Sequence, residues 1–288
     1  MKHLPRHSRT TALAGGAAAL TLVLAGCGGG SSTSSVSSNC TPQQKFSTVK
    51  EGTLTVSTYD FNPHTIIKGD ELSGIEGDLL KEVAARECLT LTVSSAGGAN
   101  AAVPSVQSGR ADVAAGDWWR TKARAKIVTL SDPVYLDQGA IISKAGYKNL
   151  DALDGKKIGS VVGNLWNDDM TKVFGDKFVI YQDGEALFSD LANGRVDAVI
   201  DSVGATVARF KTSPIKGAEI VAWPADPRVS ASSAPGQVNW PTSKKNPELT
   251  AAINAQITAM RTDGTIAKIL KKYGLDAKAA VVGTPREL

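Results

Sequence analysis

Histidine is scarce. Of three, His3 and His7 fall in the first 26 residues, and His64 is alone in the rest of the 288. That excludes a multi-histidine metal site and leaves a histidine-based triad little to build on. Cysteine is equally sparse, at three. No apolar run reaches the ~20 residues that a membrane-spanning helix needs. G-x-S-x-G, the P-loop and metal-ligand spacings are all missing. Nor is there a real excess of charge. With Lys2, Arg6 and Arg9 set aside, the 32 basic residues fall to 29 against 28 acidic ones, which argues against a nucleic-acid surface. What is left is an ordinary folding composition, 42% hydrophobic and 21% charged, long enough for about two domains. No cofactor and no metal is expected.

The first 26 residues read as an export signal. Lys2, Arg6 and Arg9 precede an apolar stretch over 12–25, interrupted by Gly15 and Gly16, which is too short to span and ends in small residues. Leu24-Ala25-Gly26-Cys27 resembles the bacterial lipobox. That resemblance implies a diacylglycerol on the Cys27 thiol and cleavage just before it; ordinary cleavage beside an incidental cysteine is the alternative. The Gly/Ser tract at 28–38 cannot pack a core and reads as a flexible coil. Residues 27–45 are thus expected to be lipid anchor and tether, holding the chain on the extracytoplasmic face of the cell membrane. Cys40 and Cys88 remain, a candidate disulfide in an oxidising compartment, with two free thiols as the alternative.

From residue 52 the pattern alternates. Short β-rich runs at 53–56, 89–93 and 111–115 flank helical patterns at 76–87 and 101–108. A similar order resumes with strands near 157–161, 178–181 and 196–200 and helices near 166–174, 186–192 and 203–210. Such an order predicts an α/β protein with helices on the faces of its sheets. Ser108-Gly109-Arg110-Ala111-Asp112-Val113 resembles Asn193-Gly194-Arg195-Val196-Asp197-Ala198, which suggests two similar lobes. Two helices follow: Asn246 can cap the first, with Pro247 at its opening position, and Gly274 ends the second.

In open α/β sheets ligands bind beyond the carboxyl ends of strands. That rule selects the loops holding Phe61, Asp117-Trp118-Trp119, Gly163-Asn164 and Asp201. Two adjacent tryptophans in a loop are not expected both to be core, and aromatics with nearby acids suit a cation; covering the lobe's edge is the alternative. Asp201 could simply cap a helix. His64 reads as a surface or loop residue. Gly163-Asn164 could present backbone N–H groups to an anion.

Several segments together resemble the amino-acid-binding solute-binding proteins of ABC importers, bacterial extracellular solute-binding protein family 3. They are Ser73-Gly74-Ile75-Glu76-Gly77-Asp78-Leu79, Val106-Gln107-Ser108-Gly109-Arg110-Ala111-Asp112-Val113, Thr121-Lys122-Ala123-Arg124 with Leu130-Ser131-Asp132-Pro133-Val134-Tyr135, and the closing Asn246-Pro247-Glu248-Leu249 and Asp263-Gly264-Thr265. The resemblance implies a two-lobed periplasmic-binding-protein fold of type II with the ligand in a cleft between lobes. The first lobe would take 46–137, the second 138–236, and 237–288 would return to the first, with crossovers near 134–143 and 236–241. It also implies Arg124 as the ligand's carboxylate partner, Asp201 or Ser202 at the amino group, and Phe61 at the position of the stacking aromatic, or Asn62 if the alignment shifts by one. Where the family has small and hydroxyl residues, this chain has Asp117 and Trp119, so the ligand is expected to be a cationic or zwitterionic amine. A monomer that hands its ligand to an ABC permease is expected, and no enzyme. An exported cyclohexadienyl-dehydratase-like enzyme and a ligand-sensing lipoprotein are the alternatives.

Overall fold

Strand β1 (Thr53–Thr58) alternates threonine with leucine and valine, residues that suit a pleated backbone, and it is buried along nearly its whole length, as a strand covered on both faces must be. A computed structural model describes residues 39–288. The expected export signal, Cys27 and the tract at 28–38 lie outside the described residues. After β1 come a short hairpin of β2 (Ile66–Lys68) and β3 (Glu71–Ser73), helix α1 (Gly74–Arg86), β4 (Thr90–Ser95), α2 (Ala99–Gln107), β5 (Val113–Ala114), the single turn α3 (Lys122–Ala125) and β6 (Thr129–Leu130). Helix α1 turns Ile75, Leu79, Leu80, Val83 and Ala84 inward at helical spacing.

The chain then crosses on β7 (Tyr135–Asp137) into β8 (Gly139–Ser143), β9 (Ile158–Val161), α4 (Asn167–Phe174), β10 (Phe178–Tyr181), α5 (Gly184–Ala192), β11 (Ala198–Ser202), α6 (Val203–Thr212) and β12 (Glu219–Ala222). It returns on β13 (Gly236–Val238) to β14 (Pro241–Thr242), α7 (Pro247–Thr262) and α8 (Thr265–Tyr273). Asn246 caps α7 by accepting from Leu249 N, with Pro247 in the first turn.

Two five-stranded sheets result, ordered β4-β1-β5-β14-β6 and β10-β9-β11-β8-β12. In the first, β1 runs parallel to β4 and β5, and β14 is antiparallel to β5 and β6. In the second, β9 is parallel to β10 and β11, and β8 is antiparallel to β11 and β12. The two crossing strands pair with each other, Tyr135 opposite Val238 and Asp137 opposite Gly236. The carboxyl ends of β1, β5, β9 and β11 therefore meet across a ribbon of two strands.

Cys40 and Cys88 form a disulfide. Cys88 follows the end of α1 with φ of +58°, in the left-handed region where a helix commonly stops. Glu87 holds the same segment by accepting from Gln43 N and Gln44 N, each at 3.0 Å. The bridge spans a sequence separation of 48 residues, and its loss should lower unfolding stability by up to about 4 kcal/mol in the chain-entropy picture. Denaturant melts of the chain from residue 39, with and without reductant, check this; coincident midpoints would show that the bridge adds nothing.

Candidate functional site

Between the sheets lies a cleft of about 840 Å³. Phe61, Asp117, Trp118, Trp119, Gly163, Asn164 and Asp201, from the loops selected by the strand-end rule, all line it, and so does Arg124, which the family resemblance selects. Tyr59 and Phe61 stack at 5.8 Å, and Tyr59 meets Trp118 edge-on at 6.0 Å.

The two tryptophans differ from expectation, because both are buried: Trp118 is 8% and Trp119 2% exposed. Trp119 lies flat on the returning strand, where a Cβ at Gly236 would come within 2.0 Å of its ring. Its indole then meets Trp166 at 5.9 Å, and Trp166 meets Trp223 at 5.2 Å. Trp119 thus packs against the crossing ribbon as well as lining the cleft. Trp118 carries Arg124 over its ring, 4.8 Å from the centroid.

Arg124 sits on α3, whose N-cap Thr121 accepts from Arg124 N. Its Nη1 donates to Trp119 O at 2.5 Å. Burial pulls the guanidinium down to about 10, against the charges of Tyr59 and Asp117, so it stays cationic at neutral pH. Among the described residues Arg124 forms no ion pair, whereas Arg209, at the same cleft, is bound twofold by Glu185 at 2.7 Å. Across the cleft, Asp201 ends β11 at 7% exposure. Its Oδ1 accepts from Ser202 N at 2.8 Å. Burial pushes its carboxyl up to about 7, opposed by that hydrogen bond and assisted by the charge of Asp137. The helix cap is Ser202, not Asp201: the Ser202 hydroxyl accepts from Ala205 N at 3.1 Å and donates to Asp137 Oδ2 at 2.5 Å.

Behind the cleft, Asp117 and His64 join Glu76, Tyr135 and Asp137 in a polar cluster that the sequence reading did not bring together. His64 is fully buried in its turn rather than on the surface. Its Nδ1 is hydrogen-bonded to the Tyr135 hydroxyl at 2.7 Å, and its Nε2 lies 3.5 Å from Ser202 Oγ. Burial lowers its pKa, against the charge of Asp137. Asp117, with φ of +57°, accepts from the Trp119 indole at 3.2 Å. Its carboxyl is held well above the usual range by burial first and by the charges of Asp137 and Glu76 second. Glu76 has no exposure and accepts from Asp117 N at 2.6 Å, from Gly116 N through both oxygens at 3.3 and 3.2 Å, from Trp240 Nε1 at 3.0 Å and from the Tyr135 hydroxyl at 3.3 Å. His64, Asp117 and Asp137 lie within 4.8 Å of one another. His64 Nδ1 lies 3.7 Å from Asp117 Oδ1 and its Nε2 3.7 Å from Asp137 Oδ2, so the ring stands between the two carboxyls. The visible signal was Glu76 itself, an acid within the apolar face of α1.

A family model described as "Bacterial extracellular solute-binding proteins, family 3" matches residues 54–276. The lysine/arginine/ornithine-binding periplasmic protein of Escherichia coli (strain K12) is 29% identical over 233 residues, 78% of this chain and 87% of that protein. A probable amino-acid-binding protein of Bacillus subtilis (strain 168) is 27% identical over 271 residues, 89% of this chain and 92% of its own. Among solved structures, an ancestral arginine-binding protein bound to glutamine superimposes with a TM-score of 0.65 at 31% identity, over 78% of this chain and 99% of the other.

Proposed function

The chain belongs to the bacterial extracellular solute-binding proteins, family 3, and on that footing we propose that it captures a cationic amino acid between its lobes and delivers it to an ABC importer. Its relatives include a lysine/arginine/ornithine-binding periplasmic protein and a probable amino-acid-binding protein. The observation that carries the reading is a pair of ionisable groups of opposite sign on facing sides of one cleft, Arg124 from α3 and Asp201 from β11, neither with an ion-pair partner among the described residues. Arg124 suits a carboxylate because its planar fork can give two parallel hydrogen bonds. Asp201 suits an ammonium, and since the Ser202 hydroxyl is engaged on both sides, Asp201 is the better candidate of the two. Asp60, Asp117 and Asp183 on the same lining leave the cleft net negative, which favours a ligand with a second cation. A diacylglycerol on Cys27 would keep the protein at the membrane beside its permease; mass spectrometry of the exported chain checks that anchor.

Calorimetric titration with L-arginine, L-lysine, L-ornithine and L-histidine tests the function. One ligand per chain is expected, with L-glutamate binding far more weakly. The pH dependence has a defined sign. Asp201 is neutral below about 7 and a carboxylate above it, and the ligand's ammonium prefers the carboxylate. Affinity should therefore rise by about tenfold between pH 6 and 8 and level off beyond. A flat profile would remove Asp201 from the amino group, and no binding of any of these amino acids would end the cationic reading. Turnover of arogenate or prephenate in the same cell would point to an enzyme instead.

A further inference from the structure

The family match stops at residue 276, yet the chain beyond it is well tied down. Residues past a domain's last helix fray unless something holds them. Here the holder is the returning strand β13. Gln237 is 1% exposed, and its side-chain amide donates to Val282 O at 2.8 Å and Thr284 O at 2.9 Å. Its Oε1 accepts from Arg286 N at 2.7 Å. One buried amide thus binds three backbone groups of the following segment, and Arg286 adds a bond from its guanidinium to Pro235 O.

The segment also reaches the cleft. Leu288 pairs with the loop that carries the tryptophans: Leu288 N donates to Arg120 O at 3.1 Å, and Lys122 N donates to Leu288 O at 3.1 Å. From the other side, Arg120 N donates to Gln237 O at 2.9 Å. Arg120 is therefore clamped between β13 and Leu288. Its neighbour Trp119 offers the carbonyl that holds Arg124. A shift at Arg120 is passed through one peptide to the oxygen that orients the guanidinium.

We propose that residues 277–288 form a strap that sets ligand affinity by positioning Arg124, with Gln237 and Leu288 as its positioning residues. The strap rests on the amino-acid reading above. It acts on the arm that faces the ligand's carboxylate and touches no ligand itself. The strap lies beyond the family match and stiffens the loop that carries Asp117, Trp118 and Trp119.

The test compares the intact chain with chains ending at Thr284 and at Glu287. Both lose the Leu288 pairing and its side-chain packing; the second keeps the three Gln237 bonds and the bond from Arg120 Nε to Arg286 O. Affinity for L-arginine should fall by about tenfold, mostly through faster dissociation, a size usual for coupling through packed neighbours. In an Arg124→Ala background the same shortening should cost less than twofold, because the residue it positions is gone. Val49→Ser, outside both strap and cleft at a side chain 52% exposed, should bind as the intact chain does. Unchanged affinity in the chain ending at Glu287 would overturn the strap. So would an equal loss with and without Arg124, which would mark a merely structural role. If the intact chain bound no amino acid, the functional reading would fall and the strap with it.

Discussion

Arg124→Ala is expected to weaken binding of the amino acid by a factor of about 30 to several thousand. The guanidinium is half-buried, stacked over Trp118 and held from behind by Trp119 O. It has no carboxylate partner of its own among the described residues, so its charge is available to a ligand. In the closed cleft the ligand's carboxylate would lose that partner while remaining shielded from water, which costs roughly 2–5 kcal/mol. At 1.4 kcal/mol per decade this gives the range stated. Arg124→Lys should also lose affinity, because a point charge cannot replace the fork and does not stack in the same way. Calorimetry with L-arginine decides it. A loss below about threefold would mean that the carboxylate is held elsewhere.

Glu76→Ala should lower stability by about 3–5 kcal/mol, and the melting temperature by about 10 °C or more. Gly116 N, Asp117 N and Trp240 Nε1 all end on this one side chain. Without it, three buried donors face a cavity. Glu76→Gln should also destabilise, by less, because its amide presents hydrogens where the carboxylate accepted them. The glutamate has a pH signature as well. Burial raises its carboxyl to about 7, against the hydrogen bonds from Asp117 N, Gly116 N, Trp240 and Tyr135. A folded pKa above the unfolded one means stability that is present below about pH 4.5 and is lost as the pH rises through about 7, by about 3 kcal/mol in all. Asp117 and Asp201 are raised too, so they add slope of the same sign. Urea melts at pH 5 and pH 8 should show wild type losing more stability than Glu76→Gln over that interval. Equal losses would place the titration on the aspartates alone.

Which features could be seen in the chain beforehand follows from how local their causes are. Strand β1, helix α1 and the capped α7 declare themselves through residues within one turn or one pleat of each other. The cleft loops were legible for a different reason: the strand-end rule needs only strand positions, and these were close. The hairpin β2–β3 and strand β6 escaped because they are two or three residues long and are defined by partners rather than by their own pattern. His64 was misplaced since its surroundings are non-local; Tyr135 and Ser202 come to it from the crossing strand and from the far sheet. The burial of Trp119 was not foreseen because the absence of a side chain at Gly236 is what lets a large ring lie down there. A loop position gives no hint of a glycine that far along the chain.

The first sheet has a history written into its strand order. Strand β14 lies between β5 and β6, with Thr242 opposite both Val113 and Thr129. Strand β6 has no other partner in that sheet. The order in which the ribosome makes these strands is therefore not the order in which they can join. Until residue 242 has been synthesised, β5 keeps an open edge and β6 stays unpaired, while every strand of the second sheet already exists. The lobe that is begun first is necessarily completed last, and closing it requires a long-range pairing of the kind that slows folding. A nascent chain of this design holds its opening segments in waiting, and it becomes a two-lobed protein only when its last strand slots between two that were made long before.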